Sequence, residues 1–331
     1  MNCRTEIICL LLAVVWAAVN LSAASLAELP VGSVIACEGS YGDHIQGMAT
    51  DGEAIYWSFA STLVKTDLNG KVLKSVPVPY HCGDPCWADG ALYVPYGGGS
   101  WNREIGDAES RNFIRVYNAE LELTGEHHVP EVVYGAGCIE FRSGKFYVGG
   151  GLPDGKGENY IYEYDAKFRF VKRHVIPVSS HLGVQTIKYA AGSFWLGCYG
   201  KPNFCIRTDE QFRIRERYDY ATTVGVIPLG GTADRVKLLV AWHIFDPQAK
   251  GNRARAVVLE VAEKMTERRS RRRQSLVLSR SCEIASTVSR KRTEGRGPKQ
   301  SVSSCVPSMR KNMSSAPSNI SIRLSPWSVS E

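Results

Sequence analysis

From residue 44 to residue 262 the chain alternates short apolar and aromatic runs with clusters of Gly, Asn and Asp, and no stretch sustains a helical apolar period. Runs of this length and composition, bounded by such turn residues, predict half-buried strands and hairpins. They recur as a unit: an apolar strand, a turn at or near Asp-Gly, an aromatic-rich strand, a loop, a third strand, a polar turn and a fourth strand. Five copies can be read. The first starts at His44 with HIQGMATDGEAIYWSFASTLVKTDLNGKVLKSVPVP, turning at Asp51-Gly52 and Asn69-Gly70. The second holds ALYVPYGG and FIRVYNAELELTGEHHVP, the third CIEFRSGKFYVGGG and YIYEYDAKFRFVKRHVIP, and the fourth VQTIKYAAGSFWLGCYG and FCIRTDEQFRIRERYDYA. The fifth, VGVIPLGGTADRVKLLVAWH with RAVVLEV, is the most degenerate.

Four-stranded repeats of this period predict an all-β chain, a β-propeller of five four-stranded blades. The fifth copy lacks a fourth strand, because the sequence changes character after Val261. At the other end, residues 33–37 align with a fourth strand that has no preceding three. An N-terminal strand completing the last blade would leave no open edge at the seam. A truncated ring of six or seven blades is the alternative.

Residues 7–19, IICLLLAVVWAAV, form an apolar run of thirteen, short for a bilayer span, with small residues after it. Residues 1–27 therefore read as a signal peptide, with a retained anchor as the alternative, which makes the protein secreted or periplasmic with no stable membrane span after cleavage. Residues 28–263 are the propeller. From Lys264 to the end there are 15 Lys/Arg against 4 Asp/Glu, so the +7 of the whole chain sits on residues 264–331, a basic, Ser/Arg-rich tail expected to be disordered. That tail reads as a polyanion-binding segment, a solvated extension, or a non-native reading frame. The remaining 25 basic and 29 acidic residues leave the body mildly acidic, which gives no basic face for nucleic acid. Of ten cysteines, Cys37, Cys82, Cys86, Cys138, Cys198 and Cys205 fall in the body, and CYGKPNFC suggests a Cys198–Cys205 disulfide across a hairpin.

The Asp-Gly hairpins, the aromatic second strands (IYW, LYV, FYV, FWL) and the third strands (LVKTD, FIRVYN, YIYEYD, FCIRTD) resemble those of exported propeller-repeat proteins of the NHL, YWTD and quinoprotein-like class. The resemblance spans about residues 33–262. It implies an architecture and no particular activity, since functions in that class run from lactone hydrolysis and lyase chemistry to protein docking. The WD dipeptide with its Gly-His partner is absent from the repeats, unlike WD40 proteins.

Ring geometry selects a face. The segments entering each first strand and the loops joining second to third strands share one end of the ring. Functional residues on loops held by a rigid scaffold are a common arrangement. Around that mouth the sequence places His44, His81 and His181 as ligands for a divalent metal ion, the one cofactor suggested. His81, Asp84 and Glu140 are the acid/base candidates, with Asp84 and Glu140 as a carboxylate pair. Gln46, Tyr96, Trp101, Arg103, Tyr134, Gln185 and Tyr199 are candidates to hold a small molecule or glycan. The leading expectation is a small-molecule- or carbohydrate-binding propeller, including a hydrolase or lyase. The alternative is a non-catalytic scaffold docking another exported protein or a polysaccharide.

Overall fold

The computed structural model describes residues 25–98, 101–102 and 111–262. The signal-peptide hydrophobic run and the basic tail lie outside the described residues. Among those described, no helix is long and apolar enough to cross a membrane.

Five antiparallel four-stranded sheets form the blades. Blade one is β2 (Ile45–Thr50), β3 (Ile55–Phe59), β4 (Thr62–Thr66) and β5 (Val72–Pro77). Blade two is β6 (Cys86–Ala88), β7 (Ala91–Gly98), β8 (Arg111–Tyr117) and β9 (Leu123–His128). Blade three is β10 (Ala136–Arg142), β11 (Lys145–Gly150), β12 (Asn159–Asp165) and β13 (Phe170–Ile176). Blade four is β14 (His181–Ala190), β15 (Ser193–Tyr199), β16 (Phe204–Thr208) and β17 (Ile214–Tyr218). Blade five is β18 (Val226–Thr232), β19 (Arg235–Asp246) and β20 (Gly251–Ala262), with β1 (Val34–Ala36) as its fourth strand. The seam expected at residues 33–37 is present: Val34, Ile35 and Ala36 face Val257, Ala256 and Arg255 in antiparallel register.

Local chemistry explains the repeat. The first hairpins of blades two, three and four turn on Asp89-Gly90, Ser143-Gly144 and Ala191-Gly192, with positive φ at both residues. That backbone matches the twist of the flanking strands. In blades one to four the acid or amide closing the third strand caps the next turn. Oδ1 of Asp67, Asn118, Asp165 and Asp209 each accepts the backbone N–H groups two and four residues on. The residue three after the cap is left-handed, and where it is Leu121, Phe168 or Phe212 its side chain is buried against a neighbouring blade. Apolar clusters fill the gaps between blades. Trp57, Ile45, Leu239 and Val258 join blades five and one, and Tyr147, Val184, Leu196 and Ile206 join three and four.

The inner strands β2, β6, β10, β14 and β18 approach the neighbouring blades so closely that glycine is required at the contacts. A Cβ on Gly47 would lie 2.2 Å from the Asp84 Cα, and one on Gly183, where φ is +85°, 1.9 Å from the Gly150 carbonyl oxygen.

Two expectations need correction. Cys198 and Cys205 are both free and buried. In register Cys198 faces Phe204 while Cys205 faces Gly197, so the thiols point to opposite sides of the sheet and into different clusters. The connection expected as a loop between the second and third strands of blade five, HIFDPQAKGN, is also less a loop than a continuation of strand, for β19 and β20 pair out to Asp246–Gly251.

Candidate functional site

The inner strands run from the entering face toward the tight first hairpins, so position along a strand gives depth in the channel. His44 precedes β2, and His81 precedes β6 by several residues. His243 lies within β19 where that strand leaves the blade. These three imidazoles gather at the mouth. The His44 and His243 rings are 5.4 Å apart, and the His81 ring lies 4.1 Å from the Trp101 indole.

Trp101 is seated rather than free. Its Nε1 donates to the Gly97 carbonyl at 2.7 Å, and its ring occupies the space that side chains at Gly97 and Gly135 would need, with hypothetical Cβ distances of 2.1 and 2.5 Å. Asn102 pins the turn, its Oδ1 accepting the Leu152 N–H at 2.8 Å. Gln46 Nε2 lies 2.9 Å from His44 Nε2. If the amide donates, His44 is the neutral tautomer with its proton on Nδ1. Burial lowers the pKa of His44, His81 and His243, and the His44 charge lowers it further for the other two. The group is thus neutral near pH 7. Nδ1 of His81 and of His243 is buried without a hydrogen-bond partner. The His81 backbone is also held at φ +116°. Such a conformation costs a non-glycine residue about 1–3 kcal/mol and concentrates at binding and catalytic sites.

The other sequence candidates are dispersed. His181 leaves the imidazole group and pairs at 2.8 Å with Asp154, both exposed. Among the described residues no group of three or more His, Cys, Asp or Glu is placed to hold a metal ion. Gln185 Nε2 donates to the Leu182 carbonyl at 2.7 Å. Tyr134 is buried and stacks 6.2 Å from Tyr160, and Tyr96 lies under the Arg115 guanidinium at 4.5 Å. Tyr199 ends β15 opposite His181, and burial raises its pKa. Arg103 lies outside the described residues.

Asp84 is the largest departure from expectation. It has no exposed surface, because β6 begins inside the ring and Asp84 backbone groups bond to Gly137 and Ile139 of blade three. Its carboxylate accepts the Met48 N–H of blade one at 3.1 Å and pairs with Lys188 of blade four at 2.8 Å. Lys188 Nζ in turn donates to the Pro85 carbonyl at 2.6 Å. Glu140, two residues before the end of β10, completes the cluster deeper in the channel. Burial raises its pKa to about 7, against the pull of Lys188 and with a further push from Asp84. Burial likewise raises Asp84 to about 6. Asp84 and Lys188 therefore form a buried hub joining four blades, and the half-buried Glu140 is coupled to it electrostatically. Sequence reading missed Lys188 altogether. Its signal was a lysine inside the apolar run TIKYA of an inner strand.

Because Glu140 binds its proton more tightly folded than unfolded, its contribution to stability is present at acid pH and is lost as pH rises from about 4.5 through about 7. Glu140→Gln mimics the protonated form. Thermal unfolding should show it more stable than the parent at pH 8, with the two curves converging below pH 5. Parallel curves across that range would refute the assignment.

No protein-family model matches the chain, and no curated protein matches it. Solved structures that it is similar to include a protein of unknown function from Bacteroides caccae, at 13% identity and TM-score 0.44, covering 70% of this chain and 90% of that one. The Neurospora crassa Pan2 WD40 domain is matched at 9% identity and TM-score 0.37, over 60% and 56% of the two chains. The Dos1 propeller is matched at 12% and 0.37, over 70% and 64%. The propeller assignment for this chain rests on its own strand pairing.

Proposed function

We propose that the protein is an exported propeller of the NHL, YWTD and quinoprotein-like kind whose channel mouth binds a small polar molecule or sugar. One observation carries this reading: His81 combines a strained backbone, a buried unpartnered Nδ1 and a ring packed on Trp101. Neutral imidazoles offer lone pairs to hydroxyl donors, and the indole offers an apolar face. Such convergence of a few polar groups on an aromatic surface suits an uncharged polyhydroxylated ligand. With Asp84 sealed in the hub, binding is better supported than carboxylate-pair hydrolysis. Export rests on the apolar run at residues 7–19.

Titration with neutral mono- and disaccharides, followed by tryptophan fluorescence and calorimetry, tests the reading. Saturable binding should be lost in His81→Ala and Trp101→Ala and kept in His181→Ala. No response to any sugar, or responses indifferent to both losses, would sink it.

His81→Gly carries a separate expectation. Glycine adopts φ +116° without steric cost, so this variant should unfold no earlier than the parent while losing sugar binding. A fall of several degrees in Tm would show that the His81 ring is structural.

A second reading, protein docking, is favoured by Ile244 and Phe245. They are 52% and 59% exposed on the β19–β20 hairpin beside the same mouth. If Phe245→Ser abolishes capture of an exported partner while His81→Ala does not, docking replaces sugar binding.

A further inference from the structure

Blade three reverses a charge arrangement that blades one and four share. In blades one and four the third-strand residue ahead of the bulge is a cation set over the aromatic ring facing it on the second strand. Lys65 Nζ lies 5.6 Å from the Tyr56 ring, and the Arg207 guanidinium 5.4 Å from the Trp195 ring. The corresponding residue of blade three is Glu163, facing Tyr147. The outer strand reverses with it: Glu216 stands opposite Arg207, but Lys172 stands opposite Glu163.

The reversal puts a carboxylate on the floor of a cavity and cations on its rim. Glu163 is 4% exposed and accepts from Lys145 at 2.6 Å and His174 at 2.7 Å. Lys172 Nζ stands 3.8 Å from an oxygen already taken by His174, and its side chain is 58% exposed. Arg142, 44% exposed, reaches Glu210 at 3.8 Å. Glu210 is engaged more closely by the Tyr189 hydroxyl, at 2.5 Å. Three cations thus share two carboxylates, and burial keeps His174 neutral near pH 7. The cavity holds about 250 Å³, with Tyr147 and Phe194, 4.9 Å apart, among its walls. That is room for one ring. It lies between blades three and four at the end carrying the Ser143-Gly144 hairpin, opposite the channel mouth.

We propose that this cavity is a second binding site, for a small aromatic carboxylate whose anionic end meets Lys172 and Arg142 and whose ring lies against Tyr147. An anion relieves the excess positive charge, and the aromatic wall selects among anions. The site is independent of the sugar-binding reading, since it shares no residue with the mouth.

Benzoate is the probe, titrated by calorimetry against the full chain, with inorganic phosphate and benzylamine as comparators. Benzoate should bind saturably and more tightly than either. Lys172→Gln and Arg142→Gln, both at exposed positions, should each weaken it about tenfold with unchanged Tm, while His81→Ala leaves it unaffected. Absence of saturation, equal affinity for phosphate, tighter binding of benzylamine, or benzoate affinity unchanged in both variants would each overturn the proposal. Loss of benzoate binding in His81→Ala would overturn its independence from the mouth.

Discussion

Lys188→Met should destabilise the propeller by about 3–5 kcal/mol at pH 8, the range seen when one partner of a buried ion pair is removed. Methionine keeps the length and apolar stem of lysine, so packing changes little. What is lost is the cation 2.8 Å from Asp84, a residue with no exposed surface. The Pro85 carbonyl loses its donor as well. The carboxylates respond by binding protons. Asp84 and Glu140 already have raised pKa values, and without Lys188 both rise further, so the penalty shrinks as pH falls. Chemical denaturation at pH 8 and pH 5 checks this: the difference between variant and parent should be large at the first and much smaller at the second. A triple variant adding Asp84→Asn and Glu140→Gln should recover part of the loss at pH 8, because it removes the uncompensated charges along with their partner. A pH-independent loss, or none, would show that the hub does not carry these charges.

The sequence made the ring legible because its cues are local. Asp-Gly and Ser-Gly hairpins, period-two alternation and the Asp or Asn after the third strands of blades one to four all act within a few residues. Even the seam could be found, since residues 33–37 resemble a fourth strand in the wrong place. The site was legible only as a face. His44, His81 and Trp101 come together because each lies on a connection at that end of the ring. Asp84 lies on such a connection too, yet β6 starts late, after Pro85, and the residue is drawn inside. Sequence position cannot show that one entering segment runs over the rim and another through the channel. Lys188 and Glu163 were missed for the same reason. Each is a charge in an apolar strand, and its meaning depends on partners from another blade or on neighbouring strands of its own. The Cys198–Cys205 expectation failed by a single residue of register, which in a strand is a change of face.

A chain beginning at residue 38 should fail to remain monomeric. It lacks β1, and β20 then presents unpaired backbone groups over about residues 254–258, extending the edge already open at its end. The deletion removes the Gly32 N–H to Val258, the Val258 N–H to Ser33 and the Cys37 N–H to Ala254 hydrogen bonds as well as the β1 ladder. It also removes Leu26, Ile35 and Cys37 from the cluster joining blades five and one, leaving Trp57, Leu239 and Val258 less covered. Burial of an isoleucine side chain alone contributes roughly 1.5–3 kcal/mol, so edge and core weaken together. Size-exclusion chromatography with light scattering should find oligomers or aggregate where a chain beginning at residue 25 gives monomer. A peptide of residues 28–38 added in trans should restore the monomer, because the free edge is a template for that strand. The same peptide carrying Ile35→Asp should not, since it would bring a carboxylate into the apolar gap. A monomeric, cooperatively folded truncation would show that blade five stands with three strands and that the seam is not what closes the ring.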